Sequence, residues 1–376
     1  YINHDIINIP NYTFGSPAYM IHHEYTSLAQ YRHYIEQLPE EDAIELFGLH
    51  ENVNISVARK ETNDMMYLLQ SCLQTTSTYS TQVITSTNTT SKMIDTCQHY
   101  LSFLPVNNFD LSIIAQEFPI SYENSMNTVL TQELIRYNTL MTVIRTSLMN
   151  VIKAVQGQVV MSHHLEAIKH AIEQNRIPKA WPSYPSLKKL SNWFQDLKRR
   201  LNMFQQWITS KSTPIIYWFP GFYFPQSFLT GTLQNYARKY KIPIDEIDWQ
   251  FKVIHNTPNK NPKDGAYISG LYIDGAKWNS QEQVLDEAEK GKLIEEMPII
   301  WLKPFHIKGE EKQQEVEKHP QEKVYHCPCY KTALRRGTLS TTGHSTNFVL
   351  SITLPAKYDQ QHYIRRGVAL LTQTNE

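Results

Sequence analysis

Two long stretches of apolar residues at helical spacing place the strictest limit on the folds open to this protein. Within residues 125–155 the apolar positions recur at intervals of three, four or seven, which places them on one stripe of a helix. They are Met126, Leu130, Tyr137, Met141, Ile144, Leu148, Val151 and Val155. Ser125 is a suitable N-cap and Gly157 a suitable terminator, so we predict a single helix roughly 45 Å long.

The second stretch covers residues 186–210, where steps of three and four alternate without a break. Its stripe consists of Leu187, Leu190, Phe194, Leu197, Leu201, Phe204 and Ile208. Pro185 precedes it, and Ser186 is a natural cap. Shorter helices are predicted at residues 28–38, 61–73 and 163–174. Because the heptads do not extend over enough turns for a free coiled coil, the pattern favours one helical bundle.

The hydrophobic period changes from about 3.6 to 2 near Pro214. Seven segments that follow are typical of strands: residues 215–219, 249–253, 267–273, 297–303, 324–331, 347–354 and 362–371. Pro328 indicates an edge or a bulge in the fifth. The Asp264-Gly265 and Asp274-Gly275 pairs indicate turns. We therefore predict an α+β protein, with an N-terminal α-helical bundle followed by a C-terminal antiparallel β-barrel.

Composition excludes several classes of protein. Lys and Arg number 36 and Asp and Glu number 36, so a broad nucleic-acid or polybasic membrane surface is not expected. The 13 glycines disfavour a Gly-rich phosphate-binding fold, and four cysteines do not make a disulfide framework, which favours a reduced, intracellular compartment. The longest apolar run, residues 215–224, is too short to span a membrane. The sequence begins at Tyr1 rather than Met, which indicates a fragment of a longer protein.

Two polar segments are predicted to lie outside the core. In residues 75–91, twelve of seventeen residues are Ser or Thr, which favours a linker or surface loop, with a phosphorylated segment as the alternative. Residues 308–323 contain nine charged residues of mixed sign among sixteen, which favours a solvated extension.

Motifs for catalysis and cofactors are sparse. No phosphate-binding loop, dinucleotide fingerprint or zinc-protease helix motif is present in the sequence. His326-Cys327-Pro328-Cys329 is the best metal candidate, but its spacing is narrower than zinc sites prefer, so core packing of the thiols is favoured. Glu166 and His170, with His163, share a helix face, for which a surface ion pair is favoured over a metal site.

Two further patterns have a functional and a structural interpretation. Residues 343–347, with His344 and Ser345, resemble half of a nucleophile elbow, but the closing glycine is missing, so a tight turn is favoured over an esterase. The dense aromatic run in residues 217–224 favours a core or domain interface over a ligand surface.

Specific strings of residues resemble one family. Residues 45–52, Glu-Leu-Phe-Gly-Leu-His-Glu-Asn, resemble the small helical part of the sixth AAA+ module of dynein heavy chains, although Val53 stands where the family usually has alanine. Residues 186–201 resemble the family's long C-terminal helix. The resemblance continues at residues 220–231, 264–267, 297–304, 337–349 and 366–371. The string at 337–349 is the most specific, and it resembles axonemal rather than cytoplasmic dyneins.

The resemblance implies three regions. Residues 1–115 would be the helical small subdomain of the sixth AAA+ module. Residues 116–212 would be the helical part of the C-terminal domain, and residues 213–376 its β-barrel part. In this family six AAA+ modules form a ring, ATP is hydrolysed in the early modules, and a stalk grips microtubules.

The implied function is therefore a non-catalytic module that packs on the AAA+ ring and tunes motility. No cofactor is expected in this segment, since ATP and Mg would bind elsewhere in the parent motor. The implied partners are the rest of the ring, microtubules through the parent motor, and other axonemal dynein chains, with no nucleic acid and no membrane. The implied location is the axoneme of a cilium or flagellum.

We predict that packing or interface residues carry this function, with the helix from Leu187 to Ile208 as a strut that docks the barrel. The candidates are Leu187, Leu190, Phe194, Leu197, Leu201, Phe204, Ile208, Trp218, Phe222 and Phe224. Two alternatives stay open: a ligand- or protein-binding β-barrel module with helical support, and a hydrolase that uses His344 and Ser345.

Overall fold

A computed structural model describes residues 27–37, 44, 49–77, 86–308, 323–339 and 345–374. The helices within these ranges are α1 (Leu28–Gln37), α2 (Asn52–Ser77), α3 (Ser86–Phe103), α4 (Leu111–Glu117), α5 (Ser125–Val155), α6 (His163–Glu173), α7 (Leu190–Ser210), α8 (Pro225–Tyr240) and α9 (Gln360–Arg365). The strands are β1 (Ile216–Trp218), β2 (Ile247–Ile254), β3 (Ala266–Ser269), β4 (Tyr272–Asp274), β5 (Ala276–Asn279), β6 (Val284–Glu287), β7 (Ile294–Glu296), β8 (Ile299–His306), β9 (Val324–Tyr330), β10 (Phe348–Pro355) and β11 (Ala369–Leu371).

Helix α5 is the centre of the helical region, and its predicted limits are confirmed. It contacts α3, α4, α6, α7 and α8, which explains why its buried face is broader than one stripe. The predicted cap is wrong by one residue. The Asn124 side chain accepts the Met126 backbone N–H, while the Ser125 hydroxyl contacts Gln234 of α8.

Helix α7 begins four residues later than predicted, so Ser186 is not its cap. The reason lies in a residue distant in sequence. The Asn175 carbonyl accepts the Leu190 backbone N–H at 2.9 Å, and the Asn175 side chain accepts that of Ser191 at 3.0 Å. Since Asn175 satisfies donors of the first turn from outside the helix, Leu187 is left in the irregular segment before it.

The polar segment around residue 80 is partly helical. Residues 75–77 belong to α2 and residues 86–91 to α3, so the prediction of a loop is wrong at both ends. Residues 78–85 lie outside the described residues, as do residues 309–322 of the charged segment. Helix α2 is also twice as long as the helix predicted at 61–73.

The strands form three groups. A four-stranded sheet has the order β1-β3-β8-β2, and a five-stranded sheet has the order β10-β9-β11-β4-β7. Strands β5 and β6 form a separate antiparallel hairpin. In the first sheet Ile300 of β8 lies opposite both Ile268 of β3 and Val253 of β2. The α+β class is therefore confirmed.

The predicted closure into an antiparallel barrel is not found among the described strands. Edge strand β2 of the first sheet lies beside edge strand β10 of the second, but no ladder joins them. Two pairings, β1 with β3 and β9 with β11, are parallel, so a purely antiparallel arrangement is wrong there. Parallel neighbours require a crossover, and α8 with β2 supplies one between β1 and β3.

Two predicted strands are interrupted. Residues 267–273 divide into β3 and β4 at Gly270, where the Trp218 indole packs so closely that a Cβ would lie 2.4 Å from its Nε1. Residues 362–371 begin as the end of α9 and become strand β11 only at Ala369. Pro328 predicts an edge or a bulge in strand β9. The strand is not an edge, since it lies between β10 and β11, and the irregularity of this ladder lies in the partner strand β10, between Phe348 and Leu350.

The hydrophobic core runs without interruption from the helices into the sheets. Among the helices that the structure describes, none contains a stretch of apolar residues that would reach across a lipid bilayer.

Candidate functional interface

The helical region and the sheets meet along an interface that we call the seam. It consists of the facing sides of α5 and α7 and the segment 217–224, which includes the last two residues of β1 and the short helix Phe219–Gly221. This is the region where the predicted strut was expected to dock the sheets.

The ten predicted residues do not all lie inside the seam. Leu190, Phe194, Leu197, Leu201, Phe204 and Phe222 are buried, while Ile208 and Trp218 are partly buried. Leu187 is 40% exposed in the irregular segment before α7, and Phe224 is 42% exposed. Phe224 is nevertheless flanked by cations, since Arg136 lies 5.4 Å and Lys331 5.6 Å from its ring centroid.

Aromatic rings fill the apolar part of the seam. Phe204 of α7 lies 5.4 Å from Tyr137 of α5 and 6.0 Å from Phe222 of the segment, measured between ring centroids. Phe222 in turn lies 4.7 Å from Phe228 of α8. The Phe204 ring therefore contacts the other long helix and the segment at once, which is the packing that a rigid joint requires.

Glu133 fixes the segment to α5. Its carboxylate is fully buried and accepts the backbone N–H groups of Tyr223 and Phe224, the latter at 3.1 Å. The Arg136 guanidinium donates to the same carboxylate at 2.9 Å. Burial raises the pKa of Glu133, although these three donors act in the opposite direction.

A buried ion pair within α7 holds Tyr184, which precedes that helix. Arg200 is 2% exposed, and its Nε donates to the Asp196 carboxylate at 2.6 Å. The Tyr184 hydroxyl donates to the same carboxylate at 2.9 Å, and the Arg200 guanidinium lies 3.8 Å from the Tyr184 ring centroid. Since removing one partner of a buried pair leaves an uncompensated charge, this arrangement tolerates only one geometry.

Further hydrogen bonds join the two regions. The Tyr137 hydroxyl donates to the Gly221 carbonyl at 2.7 Å, and burial raises the pKa of Tyr137, so the hydroxyl stays protonated. The Gln226 side chain donates to the Phe348 carbonyl at 3.1 Å, and that of Gln373 donates to the Pro185 carbonyl at 2.6 Å. The seam therefore combines close ring packing with specific polar contacts.

Sequence reasoning missed Glu133 and Arg200, although their positions carried a signal. Glu133 lies three residues after Leu130 and four before Tyr137, and Arg200 lies three after Leu197 and four before Phe204. Both charges therefore stand on the apolar stripes. A charged residue at such a position needs buried partners. Arg200 pairs with Asp196, four residues earlier in α7, whereas the backbone donors to Glu133 lie 90 and 91 residues further along the sequence.

The cysteines of strand β9 pack in the core, as predicted. Cys327 and Cys329 are both fully buried, and burial raises the pKa of the Cys327 thiol to about 12. Across the described ranges, no group of three or more His, Cys, Asp and Glu side chains is arranged to hold a metal ion.

The other motif candidates lie at the surface or outside the described residues. His170 of α6 contacts Glu173, with 3.9 Å between Nδ1 and the carboxylate, while Glu166 is exposed on the same helix. Ser345 is described and pairs with Leu339 in a β-bridge, whereas His344 lies outside the described residues.

Comparison with known proteins identifies the family. The family model for the C-terminal domain of dynein heavy chains matches residues 59–372, which is most of the protein. The chain belongs to this family. The match includes both long helices, the seam and every strand, so the fold described above is that of the C-terminal domain of a dynein heavy chain.

The individual relatives that the chain matches are also dynein heavy chains. The chain is 45% identical over 352 residues to the human dynein axonemal heavy chain 3, covering 92% of its own length and 8% of the relative. It is 41% identical over 376 residues to the dynein axonemal heavy chain 12 of Rattus norvegicus, covering 99% of its own length and 12% of the relative. To the human dynein axonemal heavy chain 1 it is 39% identical over 379 residues, covering 99% and 8%. The chain thus spans about a tenth of these relatives' length.

Proposed function

We propose that this protein is the C-terminal module of an axonemal dynein heavy chain, which packs on the AAA+ ring and tunes microtubule-based motility. ATP and Mg would bind in other parts of the parent motor, and the module itself would be non-catalytic. Its partners would be the rest of the ring, microtubules through the parent motor, and other axonemal dynein chains. Its location would be the axoneme of a cilium or flagellum, as the names of its relatives suggest.

The observation that carries this proposal is the seam. A module that transmits a mechanical signal must move as one body, and the seam joins α5 to the segment 217–224 through buried polar contacts of Glu133 and Tyr137 that leave little freedom. The ten predicted packing residues belong to this proposal as the apolar part of the joint. The division into regions 1–115, 116–212 and 213–376 likewise belongs to it, with a barrel-like arrangement of the last.

The test is microtubule gliding by the parent motor, with and without residues 125–376. We expect altered velocity, force or run length while ATP hydrolysis is retained. A Glu133→Gln motor should change the same quantities in the same direction, because it loosens the seam without removing the module. Glu61→Gln, at an exposed position of α2, is the matched control.

Unchanged motility in both the truncated and the Glu133→Gln motor would contradict the proposed tuning role. It would leave docking or assembly as the function, and the alternative of a ligand- or protein-binding module would then be favoured.

A further inference from the structure

The first turn of helix α2 holds a distant loop of the sheet region. The Asn52 side-chain amide donates to two backbone carbonyls, those of Glu289 at 2.9 Å and Lys292 at 2.8 Å. Its oxygen accepts the backbone N–H of Gly291 at 2.9 Å. All three contacts fall within the turn 289–292, which joins β6 to β7 and lies more than 230 residues further along the sequence.

Asparagine is the side chain that this arrangement requires. Both amide hydrogens and the oxygen are used, so an aspartate would lack two donors and would place its charge against two carbonyls. Glutamine would be one methylene too long for the same three atoms. Asn52 is 7% exposed, which makes unpaired groups costly while the contact is closed.

The residues before Asn52 support the same contact. The His50 Nδ1 accepts the Asn52 backbone N–H at 3.1 Å, which orients the residue. Glu51 pairs with Lys290 of the turn at 2.9 Å. The resemblance in residues 45–52 thus ends in Glu51 and Asn52, which both contact this turn, and His50, which orients Asn52.

Burial along the described part of α2 is concentrated in its first turn. Residues 54–66, 68 and 69 are exposed, whereas Asn52 is buried and Val53 partly buried. The first turn is therefore a point at which force on α2 would reach the described sheets. The turn leads directly to β7, which pairs with β4 of the five-stranded sheet.

We propose that Asn52 and the turn 289–292 form a clasp through which the orientation of α2 is transmitted to the five-stranded sheet. This deepens the proposed function, because the clasp would connect the N-terminal helices of the protein to the sheet end of the module. The contact itself can be tested on the 376-residue protein alone, independently of any motor.

The first experiment is hydrogen–deuterium exchange on the 376-residue protein with wild type, Asn52→Ala, Asn52→Asp and the control Asn54→Ala, an exposed asparagine of the same helix. Asn52→Ala and Asn52→Asp should speed exchange of the peptide that contains Gly291 by about tenfold. Asn54→Ala should leave it unchanged. Equal exchange in Asn52→Ala and wild type would overturn the clasp.

A salt series separates the amide contacts from the ion pair. The Glu51–Lys290 pair is exposed and should be screened when NaCl rises from about 0.1 M to about 1 M, whereas protection at Gly291 should persist. Protection that disappears with salt would assign the contact to the charges and would contradict the role of Asn52.

The second experiment measures transmission. Labels introduced as non-canonical amino acids at the exposed positions Met66 and Glu296 report the distance from α2 to β7 of the five-stranded sheet. The distance distribution should be at least about twofold broader in Asn52→Ala than in Asn54→Ala, since local contacts restrict such motion. Equal widths would show that the clasp does not orient the helix.

A gliding assay with the parent motor tests whether the clasp affects motility. Asn52→Ala should alter gliding velocity in the direction in which removal of residues 125–376 alters it, while Asn54→Ala does not. If removal has an effect and Asn52→Ala has none, the clasp's role in coupling is refuted and the proposed function stands. If removal has no effect, the proposed function fails, while the exchange and distance results still decide the clasp.

Discussion

Replacement of Glu133 by glutamine tests the polar half of the seam without changing its volume. The carboxylate accepts two backbone N–H groups, of Tyr223 and Phe224, through different oxygens. Glutamine has one acceptor oxygen, so its amide group must face one of these donors. Because Glu133 is fully buried, water cannot easily replace the lost partner.

The expected cost follows from the contacts. One buried donor left unpaired costs about 1–3 kcal/mol, and the remaining hydrogen bonds weaken when the acceptor loses its charge, by about 1 kcal/mol. The carboxylate's own burial is relieved, which offsets part of this loss. We therefore expect the free energy of unfolding at neutral pH to fall by about 2 kcal/mol.

The pH dependence gives a second, sharper signature. Burial raises the pKa of Glu133 above its ordinary value of 4.5, so the folded protein holds this proton more tightly than the unfolded one. Its contribution to stability is fully present below the ordinary pKa and is lost as the pH rises through the raised one. Glutamine does not titrate, so the deficit of Glu133→Gln should be largest in acid and smaller at neutral pH.

The assay is urea unfolding across this pH range, followed by circular dichroism and tryptophan fluorescence, since Trp193 and Trp207 are buried on α7. Exposed Glu61→Gln should stay within about 0.5 kcal/mol of wild type. A Glu133→Gln protein as stable as wild type, or a deficit that grows toward neutral pH, would refute the reasoning.

Three further predictions concern other parts of the protein. Leu197→Ala, in the buried stripe of α7, should lower the free energy of unfolding by about 2–5 kcal/mol, whereas Leu187→Ala, in the exposed segment before α7, should lower it by less than about 1 kcal/mol. Thermal unfolding compares the two variants, and equal losses of stability would contradict the position of Leu187 outside the helix. Gly265→Ala should be far more destabilising than Gly291→Ala, for which about 1 kcal/mol is expected. Both glycines have positive φ, but a Cβ at Gly265 would lie 1.9 Å from the Leu302 carbonyl oxygen while none crowds Gly291, so similar melting temperatures would contradict the argument. Burial raises the thiol pKa of Cys97 to about 11 and that of Cys327 to about 12. Both thiols should therefore react with a disulfide reagent at pH 8 only after denaturation. Peptide mapping locates the modified residues, and prompt modification in the native protein would contradict this prediction.

The sequence predicted a helix best where residues close together in the sequence determine both its apolar stripe and its two ends. The α5 stripe extends over about eight turns, and its limits are confirmed because Asn124 and Gly157 act locally. The start of α7 was wrong because its cap, Asn175, is supplied from outside the helix. Local rules for helix ends fail when a distant residue satisfies the first donors.

Sheet topology was predicted less well, for a different physical reason. Alternation identifies a strand but not its neighbour, so the parallel pairing of β9 with β11 was not visible. The break at Gly270 depends on the approach of Trp218, more than fifty residues earlier. Helix α9 was assigned to a strand because Tyr363 and Ile364 resemble strand residues, while packing of Tyr363 against Tyr325 decides its place.

The candidate interface likewise has a part that the sequence predicted and a part that it did not. The apolar part could be predicted from the stripes, since six of the ten predicted residues are buried. The polar residues of the seam, Glu133 and Arg200, could not, and neither could Asn52 of the clasp, because each one's partners include residues elsewhere in the fold. Periodicity shows which face is buried, but it does not show which atoms of the opposite face must be satisfied.

The seam and the clasp are held by different kinds of contact, and this difference determines which of them opens first. The seam buries the Glu133 carboxylate, whose two backbone donors belong to the segment 217–224, so partial separation would leave this charge without those partners, and the seam should open only with global unfolding. The clasp is held by three hydrogen bonds to a surface turn, and water can solvate their donors and acceptors once they separate. A load applied through α2 should therefore release the clasp while the seam stays intact. The module would then respond to force at its N-terminal helix and remain folded, which is the behaviour that a tuning element of a motor requires.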